Sequence, residues 1–478
     1  MGTRARVVIA GASGFIGQRL TEALLPDYDV IGLARAIKPS TPGLEWRVCD
    51  LFSLLQAEKA LAGADYAFYL VHSMMPHARL TQGSFRDMDL ILADNFARAA
   101  ADAGIQQIIY LGGIIPDGKD LSEHLQSRYE VEKTLASHGV PVTNVRASLI
   151  VGPRGSSFQI IEKLVKRLPI MVCPSWTRSM TQPIAVDDVI TLLRSCIGNP
   201  EVYHRAFDIG GPDVLSYLDL LRLTAKAMKL RRWILSVPLE YARLSRFWVS
   251  IISETPRELV DPLVESLRHP MVTHNRLLQE RLGQPGMSIE AAIHTALAYK
   301  QDLQSRPEAK PQVRTKYTQS LQLTDGLRAH ERFNDVRSVQ RLPLPHGKNA
   351  VWVAEKYTIW LPRFMYPFVI VEVDTERTCY FYLKFLKKPL LVLSYSSERS
   401  TPDRTLFYVT GGLLADTRSP LRGRLEFREV LNGQYVLAAI HDFTPRLPWF
   451  IYNRTQAIAH LFVMQGFQRY LAEVDVAY

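Results

Sequence analysis

Four consecutive apolar residues, 7–10 (VVIA), precede glycines at 11, 14 and 17. An unbroken run of that length predicts a strand buried on both faces, as in the middle of a parallel sheet. Residues 18–25 then have helical periodicity. The alternation continues with strand 30–34, an apolar run ending at Val48-Cys49-Asp50-Leu51 and strand 66–71. Helix 90–104 comes next, then strand 107–111 ending in Gly112-Gly113, and strand 142–151. Strands and helices alternating at this length predict an α/β fold, a doubly wound parallel (Rossmann) sheet.

The second part of the chain has a different grammar. Apolar and polar residues alternate through 369–373, 379–385, 390–395, 405–413, 424–430 and 435–441. Asn432-Gly433 marks a hairpin between the last two segments. A long amphipathic helix is expected over 449–474. The pattern predicts an α+β domain, an antiparallel sheet closed by a C-terminal helix. Between the two grammars lies a polar stretch with Pro307 and Pro311 that reads as a linker. The expected organisation is therefore a doubly wound domain over 1–300, with a variable lobe mainly in 152–300, a linker over 301–328, and the α+β domain over 329–478. The most apolar stretch, 233–252, is interrupted by Pro238, Glu240, Arg243 and Arg246. It predicts an amphipathic helix, packed in the lobe or serving as a lid over a hydrophobic substrate or a membrane contact.

Composition narrows the class. In 478 residues, 47% apolar and 22% charged, neither disorder nor fibrous structure fits. The net charge of +10 is uneven: 33 basic and 30 acidic residues in 1–300, against 24 and 17 in 301–478. The basic residues are scattered, so no nucleic-acid partner is expected; a solvated basic face is the plain reading and an anionic lipid surface the functional one. The four cysteines, Cys49, Cys173, Cys196 and Cys379, form no CxxC pair, and no HExxH occurs. Neither a disulfide framework nor a metal site is expected, and a reducing compartment fits. There is no signal-peptide h-region and no apolar run near ~18 residues. A cytoplasmic protein, or one peripheral to a membrane, is expected.

The opening turn, RVVIAGASGFIG over 6–17, carries the first chemistry. Gly11 permits a tight turn, Gly14 lets backbone approach a pyrophosphate, and Gly17 lets the helix pack on the strand. Ser13, Phe15 and Ile16 complete the cradle, and the helix N-terminus offers free N–H groups to phosphate. At the end of the second strand stands Arg35, where NAD-specific proteins place a carboxylate. That favours NADP, with NAD as the alternative; a surface arginine is the plain reading. Asp50, with Leu51 beside it, is placed to meet the adenine amino group or to cap the helix starting near Ser53. Val71, His72, Ser73 and Gly112 end strands and should face the ligand crevice.

Taken together, GASGFIG, Asp50-Leu51, YLGGI (110–114), Tyr129-Glu-Val-Glu-Lys133, PIAVDDV (183–189) and FDIGGPD (207–213) resemble the short-chain dehydrogenase/reductase superfamily in its extended or atypical branch. Leu70-Val-His-Ser73, Pro141-Val-Thr143 with Arg146, Leu168-Pro169 and Arg231-Arg-Trp233 bring it closer to the bacterial NmrA-like group, which is also similar to the Rossmann-type accessory subunit of respiratory complex I. The resemblance spans about residues 4–300. It implies that Tyr129 is the acid/base and that Lys133, one helical turn on and also a cofactor contact, holds the ribose and supports the proton transfer. The family's serine after the fifth strand is replaced by Gly112-Gly113. Arg154, Phe158, Trp176, Arg178, Met180 and Gln182 fall where such proteins line the substrate site. The C-terminal part resembles a domain of unknown function that follows some NmrA-like proteins, and by pattern a helix-grip (START-like) domain around an apolar cavity. The expected activity is NADP(H)-dependent reduction of a small hydrophobic carbonyl or quinone. The alternatives are a non-catalytic NADP(H) redox sensor or assembly factor, and a lipid-binding protein.

Overall fold

Residues of the first strand, Arg6–Ala10, alternate between two cores. Val8 and Ala10 pack with Leu54, Ala57 and Leu61 and with Leu92, Phe96 and Ala100, whereas Val7 and Ile9 pack with Leu20, Leu24, Val189 and Leu193. A strand buried on both faces needs helices on both faces, and the chain supplies them. The computed structural model describes residues 4–73, 80–118, 120–237, 265–305, 336–418 and 422–476. They form two units, Met1–Met75 with Leu92–Pro311, and Pro76–Ile91 with Gln312–Tyr478.

The first unit is built on seven parallel strands in the order Arg205–Ile209, Val142–Ala147, Gln107–Gly113, Tyr66–Tyr69, Arg6–Ala10, Asp29–Ala34, Leu44–Val48. The order reverses between Arg6–Ala10 and Tyr66–Tyr69, which places the ligand crevice at their carboxyl ends. This is the doubly wound sheet expected from the sequence. The expected strand over 142–151 is instead two, Val142–Ala147 in the main sheet and Ile150–Val151 paired with Ile184–Ala185. Ser148, whose hydroxyl donates to the Gln182 carbonyl at 2.6 Å, marks the switch. The lobe has its own core of Phe158, Val165, Leu220 and Ile293.

The amphipathic helix expected from Trp233 is corrected over the part described. Trp233–Ser236 is a strand, paired in parallel with Ile170–Cys173. Residues 238–252 of that expectation lie outside the described residues, as do 306–328 of the expected linker. Residues 301–305 end a helix, Ile289–Ser305.

In the second unit the strands run in the order Val369–Val373, Cys379–Leu383, Leu391–Tyr395, Arg404–Gly411, Arg424–Val430, Tyr435–Phe443, Val336–Pro343, Leu80–Gln82. All neighbours are antiparallel except the last pair. The Asn432-Gly433 hairpin is present, with Leu431, Asn432 and Gly433 all at positive φ. Helices Ala350–Phe364 and Gln456–Val476 meet the sheet through rings: Tyr357 lies 5.6 Å from Phe427 and 5.2 Å from Phe467. The single helix expected over 449–474 is two, Trp449–Arg454 and Gln456–Val476, broken where Thr455 leaves helical geometry at φ −128°, ψ −83°. Among the described residues no helix is long and apolar enough to cross a membrane.

Candidate dinucleotide site

Local geometry explains the three opening glycines. Gly11 has φ +90°, and a Cβ there would stand 2.9 Å from the Leu70 carbonyl oxygen across the strand switch. A Cβ on Gly17 would stand 2.2 Å from the Gly11 carbonyl oxygen, closer than atoms can approach. Gly14 is the N-cap of helix Phe15–Leu24, without a side-chain cap, so the first N–H groups of that helix are not covered by a capping side chain. Ser13 is exposed, Phe15 and Ile16 half-buried. The turn is braced from the lobe: Gln18 Nε2 donates to the Ser13 carbonyl at 3.0 Å, and Arg154 Nη1 donates to Gln18 Oε1 at 2.9 Å. The Phe15 ring lies against Gly152, where a Cβ would be 2.5 Å away. A backbone cradle too narrow for side chains, at a helix N-terminus, suits a diphosphate.

Arg35 is exposed just past strand Asp29–Ala34. Asp50 does not cap the next helix. Ser53 does, accepting from the Gln56 N–H at 3.4 Å, while Asp50 Oδ1 accepts from Phe52 N–H at 3.2 Å within its own turn. Leu51 is buried, and its carbonyl accepts from Asn95 Nδ2 at 2.8 Å. Past strand Tyr66–Tyr69, Leu70 N–H still donates to the Ala10 carbonyl at 3.0 Å, which leads Val71 and the exposed His72 to the strand end.

Tyr129 and Lys133 lie one turn apart on helix Glu123–Leu135, Tyr129 half-buried and Lys133 exposed. The Lys133 ammonium stands 4.3 Å from the Tyr129 ring centroid. Gly112 and Gly113 end their strand. A Cβ on Gly112 would strike the Tyr110 ring at 2.8 Å, whereas one on Gly113 would meet nothing nearer than Arg128 Cγ at 3.8 Å.

Two polar groups at the same end of the sheet escaped the sequence reading, because their members are far apart in the chain. Ser266 Oγ lies 2.9 Å from Ser122 Oγ and 3.1 Å from His124 Nδ1. Burial, with Arg128 and His72 nearby, pushes the His124 pKa well below its ordinary value, so the imidazole is neutral. Farther along, His274 Nδ1 is 2.6 Å from Asp208 Oδ2, and Nε2 is 3.2 Å from Asp117 Oδ1. Asp208 also faces Arg146, which is held by Glu132 through a bidentate pair at 2.6 and 2.9 Å. Residues 266–274 thus form a strap tied across the strand ends, with Met271 packed on Ile114 and Leu125 and its backbone bonded to Met180 and Gln182. Of the expected lining residues, Phe158 is buried in the lobe core and Gln182 beneath the strap, donating to the Gly211 carbonyl and accepting from Thr273 Oγ1. Neither lines an open site.

Fold and turn together have the form of a Rossmann unit, with a glycine turn that suits a dinucleotide. Residues 7–210 match the profile of the NAD dependent epimerase/dehydratase family, so the short-chain reductase-like resemblance holds for this part of the chain. The auxiliary protein GraX of Staphylococcus aureus is 32% identical over 142 residues, 29% of this chain and 42% of that protein. The chain therefore spans less than half the length of that relative. The UDP-glucose 4-epimerase of Vibrio cholerae is 21% identical over 258 residues, 49% of this chain and 79% of the enzyme. Among solved structures, triphenylmethane reductase from Citrobacter, complexed with NADP(H), is 15% identical over 61% of this chain and 99% of its own, with a TM-score of 0.48.

Proposed function

We propose that the first unit binds NADP(H) and reduces a small hydrophobic carbonyl or quinone, with Tyr129 exchanging a proton with the substrate oxygen. The observation that carries this reading is the backbone cradle of Gly11, Gly14 and Gly17 at the strand switch. A side chain on Gly11 or Gly17 would collide with neighbouring backbone and force the turn open. A bound nicotinamide supplies or accepts the hydride. The chain's own part is positioning: the turn holds the diphosphate, Arg35 meets a 2′-phosphate, and Lys133 keeps a positive charge beside the Tyr129 ring. Calorimetry tests the cofactor. NADPH should bind more tightly than NADH, and Arg35→Asp should cut that preference by about tenfold, roughly 1.4 kcal/mol. Equal affinities that the substitution leaves unchanged would remove the NADP assignment. Tyr129→Phe should lower turnover of any accepted carbonyl or quinone while NADPH affinity persists.

A second reading, a redox sensor that binds NADP(H) without turnover, is favoured by Gly112-Gly113 in place of the family's serine. Binding with no oxidation of NADPH by a broad panel of carbonyls and quinones would select it. A lipid cavity in the second unit has weaker support, since Tyr357, Trp360, Phe427 and Phe467 interlock between helix and sheet.

A further inference from the structure

The parallel ribbon of Ile170–Cys173 and Trp233–Ser236 turns one apolar face outward. Its register places Trp233 beside Ile170 and Leu235 beside Val172. These four side chains are 72%, 59%, 52% and 63% exposed, while Met171 and Cys173, on the other face, are buried in the lobe core. A soluble protein rarely leaves four large apolar side chains adjoining on one exposed face unless something covers them.

The charge around the face identifies the cover. No Asp or Glu occurs from Lys163 to Gln182 or from Leu220 to Val237, and these segments carry Lys166, Arg178, Lys229 and Arg231, all exposed. Among the described residues, three carboxylates near these segments are paired: Glu162 with Lys300 at 2.5 Å, Asp219 with Arg222 at 3.0 Å, and Glu290 with Lys226 at 2.9 Å. Arg232 braces the ribbon through the carbonyls of Val165 and Lys166, at 2.6 and 3.1 Å. Aliphatic side chains with one tryptophan, on two segments that carry exposed cations and no carboxylate, match the interface of an anionic bilayer.

We propose that this ribbon docks the first unit on an anionic membrane surface, Trp233, Leu235, Ile170 and Val172 entering the headgroup boundary and Lys166, Arg178, Lys229 and Arg231 meeting lipid phosphates and carboxylates. The inference does not depend on the cofactor reading. The test is co-sedimentation of the full chain with phosphatidylcholine vesicles, with and without phosphatidylserine. Binding should require phosphatidylserine and weaken with salt. Trp233→Ser with Leu235→Ser should lower it by about tenfold or more, and Lys166→Glu, Lys229→Glu and Arg231→Glu together by at least about fivefold per charge. The circular dichroism spectrum and urea-unfolding midpoint of the same variants should match wild type, which shows that they are folded. The proposal is overturned if the wild-type chain ignores both vesicle types, or if folded variants bind as well as wild type. It is equally overturned if light scattering shows a dimer that Trp233→Ser dissolves, because the face would then belong to a second copy.

Discussion

At the residue scale, the opening turn admits a sharp prediction. Gly17→Ala would force its methyl carbon to 2.2 Å from the Gly11 carbonyl oxygen, and that oxygen is backbone, unable to swing aside. The turn must open, so NADPH affinity should fall by about tenfold or more, measured by calorimetry on protein whose circular dichroism is unchanged. Undiminished affinity would mean the diphosphate sits elsewhere. The thiols give a second check. Burial pushes Cys49 and Cys196 up to about 12, and Cys173 and Cys379 up to about 11. The thiolate is the reactive form. A disulfide reagent at pH 8 should therefore label no thiol of the native chain and all four after denaturation.

At the scale of elements, what could be read in the sequence is what is local. The cradle was legible because Gly11, Gly14 and Gly17 act within one turn, and the sheet because each strand is a short apolar run with a helix behind it. Helix Ala350–Phe364 was missed because its aromatic, β-branched composition (AVWVAEKYTIWLPRF) imitates strand, and only packing on the sheet decides it. The strap was invisible for another reason: His274 and Asp208 are 66 residues apart and meet only through the fold. Their pairing predicts a pH dependence. The hydrogen bond to Asp208 chiefly, with the charges of Asp208 and Asp117, raises the His274 pKa. Arg146, on the far side of Asp208, is the facing cation. A raised pKa means the stabilisation is fully present below the unfolded value of ~6.5 and is lost as pH rises through the folded one. Protection of the Met271 and Thr273 amides, which donate to Met180 O and Gln182 Oε1, should fall over that rise after correction for intrinsic exchange. In His274→Gln the step should vanish; an identical step there would assign the titration to another group.

For the whole molecule, the charge excess of the C-terminal part cannot be treated as one solvated face. Arg404 and Arg428 are buried, cross-strand neighbours on the sheet, and both reach Glu426 at 2.8 and 2.9 Å, with His441 Nε2 at 3.1 Å from the same carboxylate. Burial alone would raise the Glu426 pKa, but the two guanidiniums and His441 hold it well below the usual carboxylate range. Such a group contributes stability above its unfolded pKa of ~4.3, and that contribution is lost as pH falls through the folded value. Glu426→Gln would remove the carboxylate that both buried guanidiniums reach, and losing one partner of a buried ion pair costs about 3–5 kcal/mol. The second unit should therefore unfold at markedly lower urea in the variant, followed by the fluorescence of Trp352, Trp360 and Trp449. The cradle residues all belong to the first unit, so NADPH affinity before that transition should match wild type. A variant as stable as wild type would show that Glu426 is not the anion that neutralises Arg404 and Arg428.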